Sequence, residues 1–264
     1  MSCALYNEQV EKSRVPSLNR CLDILRYVQK HHKCTKSDIV SNLNIPRSSA
    51  YVLLDEMENL GLIKINGRSE VQLWMTLIDL GISAQKKLDL QEVITPHLKT
   101  LLESVDCLAV HFGIMDGLKA FYAIKLEAQR TGMSIKSREG LEISLVHAGI
   151  GKCILAYQEE NKRERILKRL DYSKSTANSI DSEDKLRQEL ANIRLHGWAF
   201  DDSEGEESIR CVAAPVFHER KLLGAISIVG MVNKYTNDVI PSIVEKTLQC
   251  TAMIQKSLLD TQKK

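Results

Sequence analysis

The stretch LNIPRSSAYVLLDEMENLGLI, residues 43–63, decides the fold. Its apolar residues Ala50, Leu53, Leu54, Met57 and Leu60 recur at three- and four-residue steps, the spacing of one helix face. Its start is polar: Pro46 is followed by Arg47, Ser48, Ser49 and Tyr51, a compact set of hydrogen-bond donors. The acidic residues Asp55, Glu56 and Glu58 lie in the C-terminal half, so only the N-terminal half approaches a polyanion without repulsion. Free N–H groups and the positive end of the helix dipole at that same tip suit phosphate oxygens.

Working outward, residues 37–43 form a short helix with Thr35 as N-cap and Asp38 three residues on in a capping-box relation. The turn Asn44–Pro46 joins it to the opening stretch: Asn44 tolerates a left-handed backbone, and Pro46 suits the first position of a new helix. Upstream, Leu18, Cys21, Leu22, Leu25 and Val28 mark a helix over 17–31, preceded by a loose arm over residues 1–15. Downstream, LIKINGRSEVQLW (62–74) reads as two short strands around Asn66-Gly67, a hairpin signal. Helix, helix–turn–helix, then hairpin is the winged helix-turn-helix order, an element that docks a helix in double-stranded DNA. Arg47, Ser48, Ser49 and Tyr51 on the helix and Arg68 at the hairpin tip are the expected DNA-binding set. From Met1 to Leu53 there are eight lysines and arginines against four acidic residues, a basic head on a chain of net charge +2.

Residues 76–105 are helical by pattern, first with Leu77, Leu80, Ala84 and Leu88 on one side, then with Pro96 starting or bending a second piece. Beyond them strands and helices alternate. CLAVHFGIMDGLKAFYAIKL (107–126) is a hairpin turning at Asp116-Gly117; IRCVAAPVF (209–217) and LLGAISIVG (222–230) form another strand pair. Helices are expected over 148–171, over 182–196 with Gly197 ending it, and over 236–262. The fold class is therefore α+β. No apolar run is long enough to span a bilayer, and the N-terminus lacks the pattern of a secretory signal, so a cytoplasmic protein is expected. Seven scattered cysteines without a C-x-x-C pair suit a reducing compartment.

With these residues in hand, the chain resembles the IclR family of bacterial transcriptional regulators along nearly its whole length. IPRSSAYVLLDEMENLGLI (45–63) is similar to the family's recognition helix, and VQLWMTLIDLG (71–81) to the stretch that opens its linker helix. GWAFDDSEGEESIRCVAAPVF (197–217) is the most specific match, and GIGKCILA (149–156) and GAISIVG (224–230) complete it. Val52, Ser144, Val146, Glu207, Ser208 and Val229 depart from the family pattern.

The resemblance implies a winged helix-turn-helix and arm over 1–75, a linker helix over 76–89, and a GAF-like antiparallel sheet domain with flanking helices over 90–264. The last would bind a small-molecule effector and support a homodimer or dimer of dimers. Carried over, the effector pocket comprises Gly149, Ile150, Asp201, Cys211 and Ser227. Hydroxyl, thiol and free helix N–H groups with few fixed cations suit a small organic or sugar acid. A repressor needing no cofactor and no metal is the expected function.

Rival chemistries are weaker. HHKC (31–34) lacks a second ligand pair for a metal. Cys211 with Asp201 suggests an enzyme acting on a small carboxylate beside a vestigial DNA-binding module, yet no local motif supplies a base or oxyanion hole. The acidic run DDSEGEE (201–207) reads as a solvated loop with Asp201 turned toward the pocket, and 160–171 as a solvated surface helix.

Overall fold

The computed structural model describes residues 14–31, 33–86, 90–128 and 135–261. Most of the expected N-terminal arm, and Leu88 of the expected linker stripe, lie outside the described residues. The chain divides into two compact units, Met1–Leu88 and Asp89–Lys264.

In the first unit, α1 (Pro16–Lys30), α2 (Lys36–Leu43) and α3 (Arg47–Asn59) surround a core of Ile24, Val28, Ile39, Ile45, Ala50, Leu54 and Met57. The capping box at α2 is formed: Thr35 N donates to Asp38 Oδ2 (2.8 Å), and Asp38 N donates to Thr35 Oγ1 (3.3 Å). Asn44 ends α2 in the left-handed region at φ 50°. Pro46 stands one position earlier than the sequence suggests. Its ψ of 130° is extended, so it caps α3 from outside, and its carbonyl accepts the first helical bond from Ala50 N at 2.9 Å.

The wing pairs β1 (Ile63–Ile65) with β2 (Val71–Leu73) in antiparallel register. Its loop is longer than the two-residue turn that Asn66-Gly67 implies. Asn66 Oδ1 accepts from Arg68 N (2.9 Å) and Glu70 N (3.1 Å), and the left-handed residue is Ser69 (φ 61°) rather than Gly67. An Asx-type bond thus shapes the loop in place of a primed turn. Residues 34–36 add to the wing edge through a Thr35–Glu70 bridge and the Val71 N bond to Cys34 O (2.8 Å), a pairing the sequence does not announce.

After the wing, α4 (Met75–Lys86) leaves its apolar residues largely uncovered. Of the expected stripe, Leu77 is half-buried, whereas Leu80 (57% exposed) and Ala84 are exposed. Met75, Ile78 and Ile82 are exposed with them.

The second unit opens with α5 (Gln91–Ser104), which runs through Pro96 rather than starting at it. A six-stranded antiparallel sheet follows among the described residues, built from β3 (Ala109–Asp116), β4 (Lys119–Glu127), β5 (Glu142–Ile143), β6 (Ala199–Asp202), β7 (Ile209–His218) and β8 (Lys221–Met231). Its order is β5-β4-β3-β8-β7-β6. The β3–β4 turn is Gly117-Leu118, with Asp116 still in the ladder opposite Lys119 and Gly117 at φ 56°.

The expected helix over 148–171 is two helices, α6 (Gly149–Ala156) and α7 (Glu160–Leu167), broken at 157–159. The two differ in burial: all eight residues of α6 are enclosed, whereas α7 buries only Ile166 and Leu167. One straight helix could not serve both. Next come α8 (Glu183–His196), ended by Gly197 at φ 83°, and α9 (Ile240–Thr261). On one sheet face, small side chains of Ala199, Ala213 and Ala225 admit α6 and α8, whose Ile150, Ile154, Leu186 and Leu190 complete the core. Each such aliphatic side chain contributes roughly 1.5–3 kcal/mol by leaving water. On the other face, α9 packs against β7 and α5.

Candidate nucleic-acid interface and ligand site

Because α3 turns Ala50, Leu54 and Met57 inward, its opposite side faces solvent. Arg47 and Ser48 are exposed there, and Ser49 and Tyr51 half-buried. Two cations lie near the Tyr51 ring, the Arg47 guanidinium carbon and Lys36 Nζ, each 5.6 Å from its centroid. Lys36 also reaches Asp55 Oδ1 at 3.4 Å, which leaves Arg47 the freer cation. On the wing, Arg68 is exposed at the tip, and Lys64 lies 4.5 Å from the Trp74 ring centroid. Lys36 and Lys64 are additions to the expected set. The signal for Lys36 was its place at the first position of α2, the helix that precedes α3 in the helix–turn–helix pair. Guanidinium, ammonium, hydroxyl and helix-end N–H groups in one unit are the donors that phosphate oxygens and base edges take.

In the second unit the five expected pocket residues share one sheet face and the helix above it, without forming a single contact set. Asp201 pairs across the ladder with Cys211, and the thiol donates to its carboxyl. Gly149 lies directly over them: a Cβ there would stand 3.4 Å from Asp201 Cβ and 3.5 Å from Cys211 O. Ile150 packs over Gly113 of β3. Ser227 is in the next same-face row of the sheet, opposite His111. Tyr122 links the groups, its ring 4.8 Å from that of His111 and its phenol within electrostatic range of Cys211 and Asp201.

His111 was missed, although a lone histidine in LAVHFGI, in register with Ser227, was its signal. Its Nδ1 meets Ser227 Oγ at 3.3 Å and its Nε2 meets Ser137 Oγ at 2.9 Å. Burial, then the Lys125 ammonium, hold the ring down to about 3, so it is neutral and offers one donor and one acceptor. Burial also lifts the Asp201 carboxyl to about 6, against the pull of the Glu204 N–H bond and of Lys152.

Two expectations need correcting. The run 201–207 is not a solvated loop throughout: Asp201, Ser203 and Glu204 are buried, whereas Asp202 is half-buried and residues 205–207 are exposed. The inward turn comes from Ser203 (φ 59°) and from Asp201 Oδ1, which accepts the Glu204 N–H at 2.8 Å. Nor is the region short of fixed cations, since Lys152 is fully buried beneath it and Lys125 Nζ donates to Ser137 O at 2.5 Å. As for HHKC, His31 Nδ1 engages Tyr27 O (2.8 Å) and Cys34 turns inward to Val71 O.

Comparison with known proteins agrees with this geometry. Residues 82–256 match the family described as bacterial transcriptional regulator IclR, C-terminal, and residues 17–66 match the IclR helix-turn-helix domain. The chain is 35% identical to the uncharacterized HTH-type transcriptional regulator RhmR of Escherichia coli (strain K12), over 94% of this chain and 95% of that one. It is 27% identical to the transcriptional repressor IclR of the same organism, over 85% and 83% of the two chains. The crystal structure of the Thermotoga maritima IclR superimposes with a TM-score of 0.73 at 25% identity, covering 92% of this chain and 99% of that one. With both halves matched, and with a winged helix and an antiparallel sheet unit in the same order, the chain belongs to the IclR family of bacterial transcriptional regulators.

Proposed function

We propose that this protein is a sequence-specific DNA-binding repressor whose hold on its operator is set by a small organic or sugar acid. The observation that carries the DNA-binding half is the exposed cationic tip of α3, where Arg47 and Lys36 lie near the Tyr51 ring. Arg47, Ser48, Ser49, Tyr51 and Arg68 are assigned to double-stranded DNA. Repression is the role named for the 27%-identical Escherichia coli relative.

The effector is assigned to the start of α6 and the sheet face beneath it, which carry Gly149, Ile150, Asp201, Cys211 and Ser227. Backbone N–H groups at glycine positions can donate to a carboxylate at close range, and neutral His111 with the Ser227 and Ser137 hydroxyls suits further oxygen atoms. Asp201 accepts from ligand hydroxyls, which favours a hydroxylated acid. The exposed apolar surface of α4 is assigned to a second copy of the chain, giving a homodimer or dimer of dimers, with the cytoplasm as the site of action. No described helix is long and apolar enough to cross a membrane.

An enzyme using Cys211 is disfavoured by its surroundings. Burial and the Asp201 carboxyl push the thiol well above its ordinary value, the opposite of an activated nucleophile. The test is a thermal-shift screen of glycolate, lactate, glycerate, gluconate and their keto analogues on the whole protein. A ligand of the folded state raises the melting temperature and is recovered chemically unchanged. Consumption of the acid would favour the enzyme, and Ser227→Ala together with Asp201→Asn should abolish the shift.

A further inference from the structure

Lys152 is the one basic residue of α6, and its side chain is 1% exposed. An ammonium so far from water is retained only when fully partnered. Its Nζ donates to Phe200 O (2.6 Å), to Glu189 Oε1 of α8 (3.2 Å) and to Glu204 Oε1. Phe200 and Glu204 bracket Asp201 in the chain, and Asp201 Oδ1 in turn accepts the Glu204 N–H. From the other side, Thr176 Oγ1 donates to Ser203 O and Ser179 Oγ to Glu204 O, both at 2.7 Å. The turn carrying Asp201 is therefore tied to one ammonium at both ends and pinned from outside by two hydroxyls. The charges are uneven as well. One lysine serves Glu189, Glu204 and Asp201, and Glu204 Oε2 is buried without a hydrogen-bond partner among the described residues.

We propose that Lys152 is the positioning residue of the ligand site: its ammonium fixes the chain on both sides of Asp201 and keeps that carboxyl an acceptor toward a bound hydroxylated acid. The proposal rests on Asp201 facing the ligand, as assigned above. The groups around Asp201 are Lys152 from α6, Cys211 from β7, the Tyr122 phenol from β4, and its neighbours Asp202 and Glu204; Glu189 of α8 acts on the pair Lys152–Glu204. Among these, Lys152 is the cation that opposes the effect of burial on Asp201. Without it, desolvation and the remaining acidic groups are opposed only by the Glu204 N–H and Cys211 thiol hydrogen bonds, and the carboxyl holds its proton to higher pH. It then becomes a donor, and the site loses its preference for ligand hydroxyls.

The experiment follows the Asp201 carboxyl carbon by NMR as pH is raised, with the signal identified by its loss in Asp201→Asn. In Lys152→Met the midpoint should rise by about one unit or more, the size expected for removing a close opposite charge. A rise smaller than about half a unit, in protein with wild-type amide spectra elsewhere, overturns the proposal. If the single variant does not fold, Lys152→Met/Glu204→Gln is read against Glu204→Gln alone, and the same two thresholds apply to that difference. If neither folds, the wild-type Lys152 Nζ resonance decides: it should shift with the Asp201 midpoint, and independent titration overturns the coupling. These readouts need no ligand. Failure of the pocket assignment would show instead as an intact acid response in Ser227→Ala and Asp201→Asn.

Discussion

Arg47 shows what one side chain can be asked to do. It is exposed, it sits at the first position of α3, and no acidic partner occupies it among the described residues. Arg47→Ala should weaken operator binding by about 1–3 kcal/mol and relax selectivity at one base pair if the guanidinium reads a base. If it contacts only phosphate, specific and non-specific binding fall together and the salt slope shrinks by about one. Both are read from anisotropy titrations at several salt concentrations, and unchanged binding removes Arg47 from the interface. Asp201 gives a second residue-scale prediction, through pH. Its folded value, about 6, lies above the unfolded one, so the native state takes the proton first and stability falls as pH rises from about 4 through 6. His111 works oppositely: held down to about 3, it costs stability as pH falls below about 6.5. Comparing the two proteins cancels the His111 contribution and leaves that of Asp201 with its coupled neighbour Glu204. In urea titrations, Asp201→Asn should gain on wild type by on the order of 1–3 kcal/mol between pH 4 and 7, and a constant gap contradicts the buried-carboxyl account. Arg47 was legible because helical periodicity alone turns it outward. His111 and Lys152 were not, because their roles depend on strand register and on a loop folding back, which residue spacing does not encode.

At the scale of elements, α6 carries the strictest demand. A Cβ at Gly151 would stand 2.0 Å from Ser144 O, a backbone atom that cannot swing aside. Gly151→Ala should therefore force α6 away from the 143–147 segment and destabilise the protein by about 1–3 kcal/mol, as overpacking typically does. Gly67→Ala on the wing, with open space around it, should change stability by less than about 0.5 kcal/mol. Denaturation midpoints of the two variants check the contrast; equal losses would contradict it. Elements governed by local chemistry were readable beforehand: the Thr35–Asp38 capping box, the left-handed Asn44 and the Gly197 stop. Those settled by tertiary context were not. The wing loop follows the bonds of Asn66 rather than its Asn-Gly signature, and the 148–171 run breaks because α6 is buried all round while α7 is not.

For the whole molecule, one recognition helix reads only a few base pairs, so a palindrome-reading dimer is the usual route to useful specificity. On α4, Met75, Ile78 and Ile82 share one uncovered apolar side, and Leu80 lies uncovered with Ala84 on the opposite side, so both sides offer apolar surface to a second copy. Leu80→Glu should give a folded protein that sediments more as monomer and binds DNA poorly; a wild-type monomer at micromolar concentration occupying one full operator would count against this. The winged helix is expected to read a specific sequence, and an acid seated at α6 to change that reading. The most direct measurement is footprinting on genomic fragments selected by the purified protein, with and without the acid that raises its melting temperature. One protected, pseudo-palindromic site is expected, with half-sites about one helical turn apart, or a multiple of that, and its occupancy should change with the acid in wild type but not in Ser227→Ala. Sequence-independent protection that follows salt alone and ignores every acid would contradict both expectations.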